Sequence, residues 1–167
     1  MKRTWKYLLW SSAAVLLAVA AFGIWFYVAI WIPNRTLARS DWWQNEYKNA
    51  PQKKVRTLCH RIISHRIGNH HDAFLALDAV GNRDSIPYLI RALKWQRPPE
   101  DGMLDCQTGH CIQCLRDLTG MDFGWRQADW DKWWRNEGSK MPPDELAKRA
   151  ANKRAEITTR KLAEPYP

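Results

Sequence analysis

The chain has 167 residues, a formal net charge of +9 and eleven tryptophans. That length leaves room for one membrane-spanning helix and one small domain, and it excludes two full hydrophobic cores. The positive excess lies near the two ends, because residues 51–139 hold thirteen Lys or Arg against eleven Asp or Glu. A nucleic-acid partner is therefore not expected, since such proteins carry their positive charge on a folded face.

The N-terminal part contains a long uncharged run from Tyr7 to Ile32. A helix of 26 residues rises about 39 Å, which is enough to cross a hydrocarbon core of about 30 Å. Aromatic residues that favour the headgroup region flank the run at both ends. We therefore predict one transmembrane helix over Tyr7–Ile32, ended by the Pro33-Asn34 pair.

A cleaved signal peptide is the alternative for this segment, since Ala18-Val19-Ala20 resembles a cleavage site. Apolar residues continue for twelve positions beyond it, which favours an uncleaved anchor. The short basic segment 1–6 favours a cytoplasmic N-terminus, with the C-terminal domain in the periplasm or outside the cell.

The remaining chain predicts an all-α fold in three parts. Residues 33–51 form a juxtamembrane connector that includes an aromatic pair, Trp42 and Trp43; residues 52–138 form a helical domain; and residues 139–167 form a basic tail, partly helical or disordered. Apolar residues at i, i+3, i+4 and i+7 predict the helices of the domain. They are expected over 52–67, 71–80, from Asp84 or Ser85 onward, 108–118 and 127–136, with a charged helix in the tail.

The stretch ALDAVGNRDSIPYLIRALK resembles a HEAT-type repeat, and CLRDLTGMDFGWRQADWDKWW is similar to the closing unit of HEAT-like bacterial proteins. Together these two stretches cover about 71–137. The resemblance implies an α-solenoid that binds protein partners through its surface and carries no shared catalytic residues. One clear and one atypical repeat depart from the family, because at least three repeats usually form a stable stack.

Three cysteines and a histidine lie within nine residues: Cys106, His110, Cys111 and Cys114. These side chains are zinc ligands by type, although zinc fingers more often split them into two separated pairs. In an oxidising compartment we favour disulfides or buried thiols, with a Cys106–Cys111 bridge, and with Cys59 either paired to Cys114 or reduced. A redox-active thiol remains a further alternative.

Four more histidines lie at positions 60, 65, 70 and 71. The spacing of His60 and His65 places them on different faces of a helix, and His70-His71 belong to the turn and N-terminus of the second helix, so we interpret all four as exposed polar residues. None of the common phosphate-binding or nucleophile motifs is present.

The sequence therefore predicts a single-pass, membrane-anchored, HEAT-like domain that acts as a non-catalytic interaction or scaffold module. Its partner would be a protein of unknown identity besides the membrane, and no cofactor or small-molecule substrate is expected. The alternative is a metal-binding or thiol-redox domain that uses Cys106, Cys111 and Cys114.

Overall fold

The computed structural model describes residues 2–38 and 51–163, and within these ranges the protein is helical and contains no β-strand. The prediction of an all-α fold is confirmed. The predicted Trp42-Trp43 pair lies outside the described residues.

Eight α-helices follow one another in the described chain. They are α1 (Lys2–Phe26), α2 (Ile32–Ala38), α3 (Gln52–Ile63), α4 (His70–Val80), α5 (Ile86–Ala92), α6 (Cys106–Thr119), α7 (Gln127–Trp133) and α8 (Pro143–Ala163). Short 3-10 turns precede and follow α5, and a π-helical turn, Trp134–Gly138, extends α7.

The N-terminal helix is long and apolar enough to cross a membrane over Ser12–Ala38. Its large side chains between Val15 and Ile24 are exposed, as in Leu17 at 71% and Phe22 at 63%, whereas Ile30 and Leu37 near its end are buried. An exposed apolar surface of this extent is typical of a segment that contacts lipid.

The predicted end of this helix at Pro33 is wrong, because the helix continues to Ala38. A π-helical turn at Tyr27–Trp31 directly precedes the proline. The wider turn makes room for the pyrrolidine ring, which otherwise clashes with the carbonyl four residues earlier. The Asn34 side chain then donates to the carbonyl of Ile30 at 2.7 Å.

The domain core lies among α3, α4, α5, α6 and α7. Arg56 near the start of α3 donates to the carbonyl of Val80 at the end of α4, so these two helices run antiparallel. By contrast, α4 and α6 run parallel, since Cys106 at the start of α6 lies beside His71 at the start of α4, while Cys114 in the middle of α6 contacts Phe74 in the middle of α4. Both helices therefore begin at the same end of the domain.

Two of the three predicted indoles on the tryptophan-rich helix are fully packed. Trp130 and Trp133 are buried, whereas Trp134 is half-buried. The Trp130 indole donates to the carbonyl of Gly124 at 2.8 Å, and the ring of Phe123 lies edge-on 5.0 Å away. Arg83 contacts the carbonyls of Gly138 and Ser139 and thereby ties the α4–α5 turn to the end of this helix.

The C-terminal helix α8 packs on α6 and buries Leu146 and Ala150. The sequence predicts that the domain ends at residue 138. These two side chains extend its core into α8, because a leucine and an alanine four residues apart present one narrow apolar face. The other described side chains of α8, up to Glu156, are largely exposed.

Candidate metal centre

The four cysteines fall into two chemical classes. Cys59, Cys111 and Cys114 are buried in the core, whereas Cys106 is exposed. Burial raises the pKa of the Cys59 thiol to about 12 and also raises the pKa values of Cys111 and Cys114. Since metals bind the thiolate, these three buried groups are poor ligands.

Packing accounts for Cys111 and Cys114 completely. The thiol of Cys114 donates to the carbonyl of Phe74 at 3.2 Å, and that of Cys111 donates to the carbonyl of Leu89 at 3.6 Å. Among the described residues, the donor cluster that includes Cys106 and His110 contains neither of these cysteines, so the predicted ligand set of three cysteines and His110 is not brought together.

The predicted disulfides are not made, because all four cysteines are free thiols. The sequence placed Cys106 in a loop, but the structure makes it the first residue of α6. Two Cα atoms five residues apart in an α-helix are separated by about 8.5 Å, which exceeds the limit of about 7 Å for a disulfide. A Cys106–Cys111 bridge would therefore require the first turn of α6 to unwind.

The structure instead joins Cys106 and His110 to His71, which lies on α4. One donor atom from each of these three side chains lies within 4.8 Å of the other two. The Cys106 Sγ atom is 3.6 Å from Nε2 of His71, and the rings of His71 and His110 meet edge-to-face with centroids 5.0 Å apart. Two imidazoles and a thiol are donors of the type that zinc and copper sites use, so these three residues could hold a metal ion.

Helix geometry positions the two donors on α6. Cys106 and His110 are four residues apart, so they lie one above the other on the same face. Asp105 caps the helix, and its carboxylate accepts from the backbone N–H of Thr108 at 2.7 Å. A chain of side-chain amides fixes the loop before the helix, with Gln107 donating to Gln96 at 2.7 Å.

The start of α4 positions the third donor. Asn69 caps this helix, and its side-chain amide donates to Oδ2 of Asp72 at 2.6 Å. The other oxygen of that carboxylate lies 3.1 Å from Nδ1 of His71. This contact turns Nε2 of His71 toward Cys106, an orientation that metal-ligating histidines commonly obtain from a carboxylate.

The surroundings of the cluster favour a cation. Besides Asp72, the pair Asp78 and Asp117 lies further along the same two helices. Burial and the neighbouring Asp117 raise the pKa of Asp78, and His110 is close enough to act on it in the opposite direction.

The site is also open, because Cys106 is exposed and the His71 side chain is 42% exposed. Three protein ligands at an open surface leave a coordination position for water or a fourth donor.

The other predicted histidines have separate environments. His70 is buried, and its ring contacts the carbonyl of His65 at 2.8 Å. His60 contacts the hydroxyl of Ser85 at 2.9 Å and stacks on Tyr88 with ring centroids 4.1 Å apart. The interpretation of all four as exposed residues is therefore wrong for His60 and His70. This interpretation also did not assign His71 to the cluster, because no local signal links this residue to a cysteine 35 positions away.

The chain matches no known protein family, no curated protein and no solved structure. The resemblance to HEAT-type repeats therefore has no support from these comparisons, and the function is argued below from the geometry of the chain itself.

Proposed function

We propose that the helical domain binds one borderline or soft transition-metal ion, such as Zn²⁺ or copper, through His71, Cys106 and His110. The observation that carries this proposal is the convergence of the three donor atoms within 4.8 Å. The thiolate and imidazole ligands select against Mg²⁺ and Ca²⁺, which prefer oxygen. The exposed position suits an exchangeable ion rather than a structural one.

Cobalt titration of the full chain tests this proposal, with the protein purified in detergent through a tag that contains no histidine. One equivalent of Co²⁺ should bind with the intense visible bands of a tetrahedral ion and a sulfur-to-cobalt charge-transfer band, and Zn²⁺ should displace it. Cys106→Ser should abolish the charge-transfer band. His71→Gln and His110→Gln should each lower the affinity at least tenfold.

Two matched variants sharpen the test. Asp72→Asn leaves all three ligands in place but removes the carboxylate that orients His71, so the affinity should fall roughly 10- to 100-fold. His65→Gln removes a histidine that packs on Trp25 rather than at the cluster, so binding should not change. Equal binding by the wild type and Cys106→Ser, or no binding by either, would exclude the centre.

We further propose that α1 anchors this domain in a membrane, with the N-terminus in the cytoplasm and the domain on the opposite side. The support is the uncharged run after Lys2, Arg3 and Lys6, together with the exposed apolar side chains of the helix. Protease added to intact cells or inverted vesicles reports the side of the domain. Digestion from the cytoplasmic face would overturn this orientation.

A scaffold function in a short HEAT-like stack is the second candidate. Its support is the arrangement of the pairs α4–α5 and α6–α7, in which the first helices contact each other and the second helices contact each other. Stacked helical repeats pack in this way. Crosslinking in native membranes tests it, and a specific protein adduct that persists in Cys106→Ser would separate scaffolding from metal binding.

A further inference from the structure

The helical domain contacts the N-terminal helix directly. Arg61 of α3 donates to the carbonyl of Val28 at 2.8 Å. The ring of His65 meets the indole of Trp25 edge-on at 5.7 Å, and the side chain of Asn34 accepts from the backbone N–H of Asn69. The base of the domain therefore lies against the last turns of this helix.

This contact sets the level at which the hydrocarbon core ends. An arginine held at Val28 places its guanidinium among headgroups and water, because a charged group is strongly disfavoured in hydrocarbon. The run from Tyr7 to Phe26 below it has 20 residues. Such a helix spans about 30 Å, the thickness of a bilayer core. Residues 27–38 then form the joint between membrane and domain.

An apolar groove runs down the helix from Arg61 at this joint. Its volume is about 510 Å³. Its walls are formed by residues on one face of the helix, which are Ala21, Ile24, Trp25, Val28 and Ala29. The two alanines leave an open apolar recess between their larger neighbours. The arginine closes its water-facing end.

Cations predominate around this joint, although Asp72 lies beside Asn69, which lines it. Residues 7–40 and 52–71 contain no Asp or Glu. Arg35, Arg61 and Arg66 lie within these ranges, and Arg35 stacks over Trp31 at 4.8 Å to line a second groove of about 620 Å³ with Ile67. Arginines beside an apolar slot at headgroup level complement an anionic lipid, whereas a zwitterionic one gains less.

We infer that the joint binds an anionic phospholipid of the bilayer, with one acyl chain in the groove below Arg61 and the phosphate on the Arg61 guanidinium. A guanidinium has five N–H donors, and the contact with Val28 uses one of its nitrogens. The remaining donors and the positive charge attract a phosphate, and the charge sets the preference for an anionic lipid. This inference rests on the proposed membrane anchoring and is independent of the metal centre.

Native mass spectrometry of the full chain from mixed micelles tests the inference, with phosphatidylglycerol and phosphatidylcholine of identical acyl chains as probes. The wild type should retain phosphatidylglycerol roughly fivefold more than phosphatidylcholine, as expected for one arginine at a membrane surface. Arg61→Gln should lose most of this preference. Arg91→Gln, which removes an exposed arginine that stacks on Tyr88 of α5, should keep it.

Two further variants separate charge from shape. Arg61→Lys retains the cation and should retain most of the preference, whereas Ala21→Trp fills the groove and should reduce retention of both lipids. Equal retention of the two lipids by the wild type would overturn the inference. An equal loss of preference in Arg61→Lys and Arg61→Gln would also overturn the inference, because the lipid preference would then not depend on the positive charge at position 61.

Discussion

Burial distinguishes the cysteines more sharply than their sequence spacing does. Cys111 and Cys114 are three residues from each other, yet both thiols face the core and donate to backbone carbonyls. Cys106 is one and a half turns earlier on α6 and faces solvent. A thiol at this surface position meets the two imidazoles, so a single cysteine carries the chemistry of the candidate site.

Histidine burial makes the stability of the domain depend on pH. Desolvation, followed by the charge of Arg56, lowers the pKa of His60 from 6.5 to about 4, and Asp84 acts in the opposite direction. The unfolded chain therefore binds a proton between these two pH values that the folded chain does not. Stability should fall as the pH drops from about 6.5 to about 4 and should level off below it.

We predict that this residue contributes about 1–2 kcal/mol of the acid destabilisation. The full shift corresponds to about 3.4 kcal/mol, and partial exposure of the ring reduces it. Urea unfolding of the wild type and His60→Gln, followed by circular dichroism between pH 4 and 8, measures the difference. The free energy of unfolding of the variant should depend less steeply on pH. The remaining dependence should include a contribution from His70, whose pKa is also lowered by burial. Identical slopes would contradict the assignment.

At the scale of the helices, two capped N-termini build the site. Asn69 caps α4 and Asp105 caps α6, and the donors His71 and Cys106 lie in the first two residues of these helices. A capping side chain fixes where a helix begins and therefore the direction of the side chains in its first turn. The metal donors are thus held by backbone hydrogen bonds rather than by a flexible loop.

The other end of α6 depends on Gly120. Its φ angle of 68° lies in the left-handed region, and a Cβ atom there would approach the carbonyl oxygen of Arg149 in α8 to 2.8 Å. Gly120→Ala should therefore destabilise the domain by about 1–3 kcal/mol, because it adds backbone strain and pushes α8 away from α6.

Gly109 is a matched control within the same helix, because a Cβ atom there meets nothing within 4 Å. Gly109→Ala should leave the stability unchanged or raise it by about 0.5–1 kcal/mol, since alanine favours the helix. Thermal unfolding followed at the helical circular-dichroism band compares the two variants. Equal changes in stability would show that helix propensity alone determines the effect of both substitutions and that the contact with Arg149 does not contribute.

For the whole molecule, the candidate centre connects two helices that are distant in sequence, His71 on α4 and the pair Cys106 and His110 on α6. A ligand that binds only the folded state stabilises it by about 2.7 kcal/mol at a concentration 100 times its dissociation constant. Saturating Zn²⁺ should therefore raise the Tm of the full chain by about 5–10 °C. Cys106→Ser should show a much smaller shift, and an equal shift in both proteins would place the ion elsewhere.

Much of the architecture could be predicted from local patterns. Each of the predicted domain helices is present, with ends displaced by up to four residues, because apolar spacing and capping residues act over one or two turns. The largest displacement is in α3, which ends at Ile63 before an irregular turn rather than at residue 67. The continuation of the N-terminal helix through Pro33 was not predictable, since it depends on a π-helical turn that the Arg61 and Asn34 side chains stabilise.

The candidate site was only half predictable. Cys106 and His110 belong to one helix, so their spacing identified them, although together with the wrong partners Cys111 and Cys114. His71 joins them because α4 and α6 run parallel with their N-termini at the same end of the domain. Helix direction within a bundle is set by loop lengths and by core packing, and neither can be read from the residues around His71.

Local sequence patterns are enough to predict the helical fold, the apolar N-terminal helix and the two donors that share a helix face, because these depend on interactions a few residues apart. The tertiary structure decided which thiols are buried, which histidine completes the cluster and where Arg61 meets the N-terminal helix. Each of these depends on contacts between segments 22 to 40 residues apart in the chain. Such contacts form only when several helices bury their apolar faces against one another.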